Sequence, residues 1–255
     1  MVAGLAFLAT AVATLFAQVT AQRWSRTRAP HHGAWTIALA LFALASAALA
    51  TGTATGWDDG VFRAFFLLGA IVNVPWLALG TVFLLAGERA GRIVRAVLLV
   101  FTGFAAGVML STPLRGEISG TEIPVGKDHL DVLPRVLAGV GSGVGATVLL
   151  VGAVWSAVRF ARRRDEPGAA RLMHSNVLIA LGTLVLSSGG LLQGALGKDH
   201  AFALSLALGI VVIYAGFAVA SGRSGVRADA SARRTTFPPK VRGNVSTTST
   251  RVGNL

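Results

Sequence analysis

The sequence contains no cysteine, which excludes disulfide bonds, thiolate metal sites, thiol nucleophiles and iron–sulfur clusters. Charged residues are also scarce, at 13% of the chain, whereas a soluble domain carries about a quarter. A hydrophobic content of 53% and a mean hydropathy of +0.66 accompany this scarcity. The composition therefore predicts an integral membrane protein rather than a soluble one.

Ionisable side chains are missing from the middle of every long apolar stretch. Proton relays in membrane pumps need such groups at depth, so an ion-coupled pump is disfavoured. The last apolar stretch has no Lys, which excludes a retinal Schiff base on that segment. A His-Glu-x-x-His motif is absent as well. We therefore predict no catalytic residue, no metal site and no cofactor, and we do not expect an enzyme.

Seven apolar stretches are present, and a helix needs about 20 such residues to cross a bilayer. Because backbone groups in lipid must be satisfied within the segment, all seven are predicted to be helices. The fold class is thus all-α, a polytopic bundle of seven transmembrane helices in residues 1–221, followed by a disordered basic tail in 222–255. The predicted spans are 2–21, 34–51, 61–86, 92–112, 132–158, 173–196 and 200–221.

Basic residues are concentrated in every second connecting segment. Cytoplasmic loops of membrane proteins carry this excess of Lys and Arg, which predicts an outside N-terminus and a cytoplasmic C-terminus. The basic loops are expected to contact anionic lipid headgroups, and no nucleic-acid partner is expected. Of the 23 Lys and Arg, 18 lie in 22–33, 87–95, 158–172 and 222–255, whereas seven of the 11 Asp and Glu lie in the other segments.

The third span has the most unusual local sequence, Asn73-Val-Pro-Trp76. Pro75 removes one backbone hydrogen bond and frees a carbonyl about one turn earlier, near Ile71. Two interpretations stay open: the segment lines a substrate site as hinge and polar group, or Asn73 caps the carbonyls that Pro75 frees. Under the first interpretation the ligand-binding residues are Asn73, Pro75, Trp76 and Gln193 of the sixth span.

A faint internal repeat relates the third and sixth spans. Asn73-Val-Pro-Trp-Leu-Ala-Leu-Gly-Thr81 is echoed by Asn176-Val-Leu-Ile-Ala-Leu-Gly-Thr183, with one residue deleted. Extended over neighbouring spans, the echo predicts that helices two to four and five to seven are inverted repeats, which many transporters use. The alternative is that small apolar residues recur by chance in membrane helices.

Small and polar residues predict which helix faces pack together. Thr10, Thr14 and Gln18 share one face of the first span and are expected to point into the bundle. Gly103, Gly107 and Ser111 form a small-residue face on the fourth span. With Gly141–Gly145 of the fifth span, this face predicts a compact core around helices four, five and six.

The segments on the non-basic side repeat the tetrapeptide Gly-Lys-Asp-His, at Gly126–His129 and Gly197–His200. These His and Asp residues are of the type that bind metals, but Asp131 and Asp199 are better explained as caps of the helices they precede. The connection 112–131 is expected to form a hairpin or a lid over the bundle.

The Asn73–Thr81 segment, the Arg-rich junction Trp155–Arg164 and the seven-span plan resemble seven-span inner-membrane proteins of high-GC bacteria. The resemblance places the chain in the bacterial cytoplasmic membrane and implies no activity. Two functions stay open: transport or binding of a small molecule, or a non-catalytic scaffold or partner subunit of a membrane complex.

Overall fold

The computed structural model describes residues 1–162, 169–196 and 199–221. The side chains of residues 160, 169, 172, 176, 187–196, 220 and 221 are also outside the description, as is the predicted tail 222–255. Within the described ranges the regular structure is helical throughout, with no strand, which confirms the all-α prediction.

Five of the helices extend three to six residues beyond the predicted apolar span at one or both ends, because a helix continues into the headgroup region until a turn residue stops it. The first helix, for example, ends where Arg28 adopts a left-handed conformation with φ 54°. The long elements are α1 (Val2–Thr27), α2 (Pro30–Thr55), α3 (Asp59–Phe65) continued by a π-helical segment (Phe66–Val72) and α4 (Asn73–Leu85), α5 (Gly87–Ser111), α7 (Val132–Ala161), α8 (Ala169–Leu196) and α9 (Asp199–Ser221), with a short α6 (Gly126–His129).

Six helices in the described chain are long and apolar enough to cross a membrane, which indicates a multi-pass membrane protein. The sixth predicted span corresponds to α8, whose described residues include the apolar segment Met173–Leu186. The six are Val2–Thr27, Pro30–Thr55, Asp59–Leu85, Gly87–Ser111, Val132–Arg159 and Asp199–Val219.

The helices surround a common centre. Helix α1 packs along α2, and α2 packs on α4. Helix α4 contacts both α5 and α7, and α7 packs on α8. Helix α9 returns to the start of the chain, since Ile210 and Ile213 join a buried cluster with Ala9 and Phe16. Ser175 of α8 also donates a 2.7 Å hydrogen bond to the Gly216 carbonyl of α9.

Contacts at one end of the bundle join the end of α1 to the end of α9 and to the start of α2, and Arg28 and Arg95 line one cleft there. The Arg23 guanidinium of α1 lies 4.6 Å from the ring centre of Phe217 near the end of α9, and the Trp24 ring packs against Gly33 at the start of α2. We call this the basic end. At the opposite, loop end, residues 112–131 join the α2–α3 turn and the start of α9.

The predicted inward face of α1 is wrong for Thr14 and Gln18, whereas Thr10 is half-buried. The buried face of the helix consists of Ala6, Ala9, Ala13, Phe16 and Thr20, whereas Thr14 and Gln18 are exposed. Small alanines on this face permit the close approach of α2. The Thr14 hydroxyl needs no partner on another helix, because it donates to the carbonyl one turn earlier, that of Thr10, at 2.8 Å.

The small-residue face of α5 does not pack in the core either. A Cβ added at Gly103 or Gly107 would have no described neighbour within 4 Å, and Ser111 is exposed. Helix α5 instead contacts the bundle through Gly91, Ala105 and Met109, which are buried. The predicted core around the fourth, fifth and sixth spans, which are α5, α7 and α8, is therefore corrected. Helix α7 packs mainly on α4 of the third span and on α8.

Candidate functional site

The third span is a broken helix, in which α3 and α4 are joined by the π-helical segment Phe66–Val72. A π-helix pairs residues five apart rather than four, so it accommodates one extra residue. Pro75 has no N–H to offer either Ala70, five residues back, or Ile71, four residues back. The break therefore leaves backbone carbonyls that need a donor from elsewhere.

Helix α7 supplies that donor. The Ser142 hydroxyl donates a 2.5 Å hydrogen bond to the Ala70 carbonyl. The glycines on either side bring the two backbones together, since a Cβ at Gly141 would lie 2.6 Å from the Ile71 carbonyl oxygen and one at Gly145 would lie 2.9 Å from the Pro75 nitrogen. Ser142, rather than Asn73, thus satisfies a carbonyl that the break exposes.

Beside this break lies a cavity of about 510 Å³ between α2, the third span, α7, α8 and α9. Along α7 its lining extends from Ala138 to Leu149, and along α9 from Phe202 to Ile213. Eleven residues of helix correspond to about 16 Å. The cavity thus occupies about half of a hydrocarbon core of about 30 Å.

The cavity wall is mostly apolar, with four polar side chains. Two of them already have intramolecular partners: Ser142 donates to Ala70, and Thr183 donates to the Ile179 carbonyl at 2.8 Å. Ser46 and Asn73 are buried, at 2% and 8% exposure, and neither side chain hydrogen-bonds to a described residue. The Ser46 hydroxyl and the Asn73 amide are therefore available to a molecule in the cavity.

Aromatic side chains close the cavity toward the loop end. Phe65 and Phe202, both in the lining, meet edge to face at 6.1 Å between ring centres. Behind them the buried Trp57 ring stacks edge to face on Phe65 at 5.4 Å. This aromatic layer separates the cavity from the loop that covers it.

The connection 112–131 forms a lid, and within the described residues it contains α6 but no hairpin. The backbone N–H of Trp57 donates to the Gly120 carbonyl at 2.9 Å, and the backbone N–H of Ile123 donates to the Asp199 carboxylate at 3.0 Å. Asp199 was predicted to cap its own helix, but its carboxylate instead holds the lid on α9. Asp131 accepts a hydrogen bond from Arg115 within the same connection.

The four predicted ligand-binding residues lie in different surroundings. Asn73 lines the cavity, and Pro75 packs against Gly145 without lining it. Trp76 faces α5, where its indole Nε1 donates to the Thr102 hydroxyl at 3.0 Å. The side chain of Gln193 is outside the described residues.

Sequence reasoning missed Ser46, Ser142 and Thr183 as cavity residues. Isolated Ser and Thr are common in membrane helices, so only two weak signals marked them. Thr183 lies in the echo of the third span, and Ser142 lies between two glycines. Ser46 had no distinguishing neighbour.

Metal-binding residues do not cluster in the described chain: no three of its His, Asp and Glu residues come together. His129 contacts the Arg115 carbonyl through Nδ1 at 3.0 Å, within the lid. The second tetrapeptide includes residues 197 and 198, which are outside the description.

Comparisons with protein families, with characterised proteins and with solved structures find no match to this chain. The function of the chain is therefore inferred from the cavity itself.

We expect Gly141→Val to destabilise the protein, because the added side chain would meet the Ile71 backbone oxygen. Overpacking of this kind costs about 1–3 kcal/mol. The control is Gly139→Val on the same helix, where a Cβ meets no described atom within 4 Å. Thermal unfolding in detergent measures both, and an equal Tm for the two variants would contradict the packing described.

We expect a cysteine at position 46 to react with a small water-soluble methanethiosulfonate in membranes. The chain has no other cysteine, and a thiol reacts as the thiolate, which forms where water reaches it. The control is Val100→Cys, at an exposed position on α5 that faces away from the bundle. A rate for Ser46→Cys about tenfold above the control indicates a hydrated cavity, and equal rates would count against one.

Proposed function

We propose that this chain binds or transports a small, mostly apolar molecule in the cavity beside Asn73. The observation that carries the proposal is a cavity of about 510 Å³ whose wall contains two polar side chains without a partner among the described residues. Ligand sites are concave, mostly apolar and between about 300 and 1,000 Å³, with a few polar groups that orient the ligand. The cavity meets each of these criteria.

The lining also defines the ligand class. It contains no Asp, Glu, Lys, Arg or His among the described residues, and burial of an unpaired charge is costly. An uncharged molecule is therefore favoured. The Asn73 amide both donates and accepts, so the ligand carries at least one hydroxyl, carbonyl or amide group. The same lack of ionisable groups gives no acid or base for catalysis, so we propose binding or transport rather than an enzyme.

We further propose that α8 crosses the membrane together with the six apolar helices, which gives seven spans. With the basic end in the cytoplasm, the N-terminus and the lid 112–131 lie outside. The support for this orientation is the position of Arg23, Arg28 and Arg95 at one end of the bundle. A bacterial cytoplasmic membrane fits this charge distribution and the resemblance described above.

The Asn73→Leu variant tests the assigned site. A panel of uncharged aliphatic and aromatic alcohols and amides is screened for compounds that raise the Tm of the wild-type protein, since a ligand stabilises the state that it binds. We expect Asn73→Leu to weaken binding of such a compound about tenfold, the value of one lost hydrogen bond.

The control is Gln18→Leu, the same type of change at an exposed position of α1, and it is expected to bind as the wild type does. If no compound stabilises the wild type, or if Asn73→Leu binds equally well, the proposed site is wrong.

A second candidate function is that of a partner subunit, and the open face of α5 favours it. Gly103, Gly107 and Ser111 recur every four residues on a surface that no described residue covers. Small residues at this spacing allow two membrane helices to approach closely, which stabilises their association without an added hydrophobic force. A second copy of the chain is the simplest partner for such a face.

Disulfide cross-linking in membranes tests this association. We expect Ser111→Cys to form a covalent dimer on oxidation, because the Cα atoms of two paired cysteines lie about 6 Å apart. The neighbouring Leu110→Cys, exposed on a different face, is expected to stay monomeric. Addition of Gly107→Leu to Ser111→Cys should abolish the dimer. Equal cross-linking at positions 110 and 111 would exclude this interface.

A further inference from the structure

A second, smaller cleft lies near the basic end, between the α1–α2 corner and helices α4 and α5. Its volume is about 230 Å³. It differs from the central cavity because it contains two arginines. The residues that line it include Trp24, Arg28, Ile37, Leu79, Phe83 and Arg95.

The two arginines are free to bind an anion. In the described chain the ion pairs are Arg92 with Glu88 and Arg115 with Asp131, so neither Arg28 nor Arg95 is paired. Their side chains make no hydrogen bond to a described residue. Because the guanidinium group presents a rigid fork of donors, two of them around one cleft match the oxygens of a phosphate.

The arginines come from different parts of the chain. Arg28 ends α1 in a left-handed conformation, whereas Arg95 lies eight residues into α5. Gly91 brings α5 close to α4, since a Cβ there would lie 2.1 Å from the Phe83 ring. The tertiary fold thus brings together two charges that are distant in sequence.

The cleft is amphipathic along its depth. Its arginines are toward the helix ends, while Ile37, Leu79 and Trp76 form an apolar wall deeper in the bundle. Seven residues of α4 separate Trp76 from Phe83, which corresponds to about 10 Å. Trp24, 42% exposed, forms a side of the opening. Tryptophan is enriched at the membrane interface, where one side of the ring is apolar and the other hydrated.

We propose that this cleft binds an anionic phospholipid, with its phosphate between Arg28 and Arg95 and the first part of an acyl chain against Ile37 and Leu79. A free phosphate would use the arginines but not the apolar wall, so the lipid is the better match. Basic pockets between membrane helices on the cytoplasmic side are known to hold anionic headgroups. This site is separate from the central cavity and does not depend on the function proposed for it.

The test uses the full chain in vesicles of phosphatidylcholine with a minor fraction of phosphatidylglycerol, followed by native mass spectrometry of the released protein. We expect the wild type to retain one phosphatidylglycerol in preference to phosphatidylcholine. Arg28→Gln with Arg95→Gln should weaken this retention at least about tenfold, since both charged contacts to the phosphate are removed.

The control is Arg26→Gln with Arg89→Gln, which removes the same charge at the same end, outside the cleft, and is expected to retain the lipid. Equal loss in both double variants would overturn the site in favour of general surface attraction. Full retention in the cleft variant would overturn it as well. If the Gln variant does not fold, Arg28→Lys with Arg95→Lys keeps the charge but removes the fork, and we expect intermediate retention.

Calorimetry with inorganic phosphate on delipidated protein separates the two sources of the anion. We expect no binding of phosphate at concentrations at which the lipid is retained. Phosphate binding that is as tight as lipid binding, and equally lost in the cleft variant, would overturn the assignment to a lipid.

Discussion

The structure depends on one constraint: a backbone carbonyl inside a membrane must find a hydrogen-bond donor in the protein, because lipid offers none. Pro75 and the π-helical segment before it create such carbonyls in the third span. The Ser142 hydroxyl satisfies that of Ala70, and this requires α7 to approach the broken helix closely. Gly141 and Gly145 make the approach sterically feasible. The position of α7, and hence one wall of the central cavity, follows from this repair of the backbone.

The cavity is a consequence of the same break. The π-helical turn widens the third span and places Asn73 in the wall, where its amide has no described partner. Irregular backbone at membrane depth is tolerated where it is buried in protein or lines a cavity, and here it does both. The interpretation of Asn73 as a cap for the freed carbonyls is therefore replaced, since Ser142 has that role. The Asn73 amide thus has no described partner in a mostly apolar wall, and this is the feature that indicates a ligand.

The break does not explain the echo between the third and sixth spans. The π-helical segment ends at Val72, before the echo begins at Asn73, so the extra residue of Asn73–Thr81 lies in α4. Gly182 of the echo also packs closely, on Gly209 and Ile213 of α9, while Gly80 packs on Trp35 of α2. The repeat pairs the second span with the fifth and the fourth with the seventh, so these two glycines do not make equivalent contacts. The inverted repeat itself stays a prediction.

The sequence by itself determined the class of protein, the approximate helices, the position of the break and the segregation of charge, because hydropathy and proline act locally. The tertiary structure decided which faces are buried. Gly103 and Gly141 belong to similar small-residue patterns, yet one is open and the other packs against backbone. Asn73 and Trp76 are three residues apart, yet one lines the cavity and the other faces α5. In a membrane helix both the buried and the lipid-facing sides are apolar, so the polarity contrast that marks the buried side of a soluble helix is weak. Close packing with a particular neighbour therefore determines which side is buried.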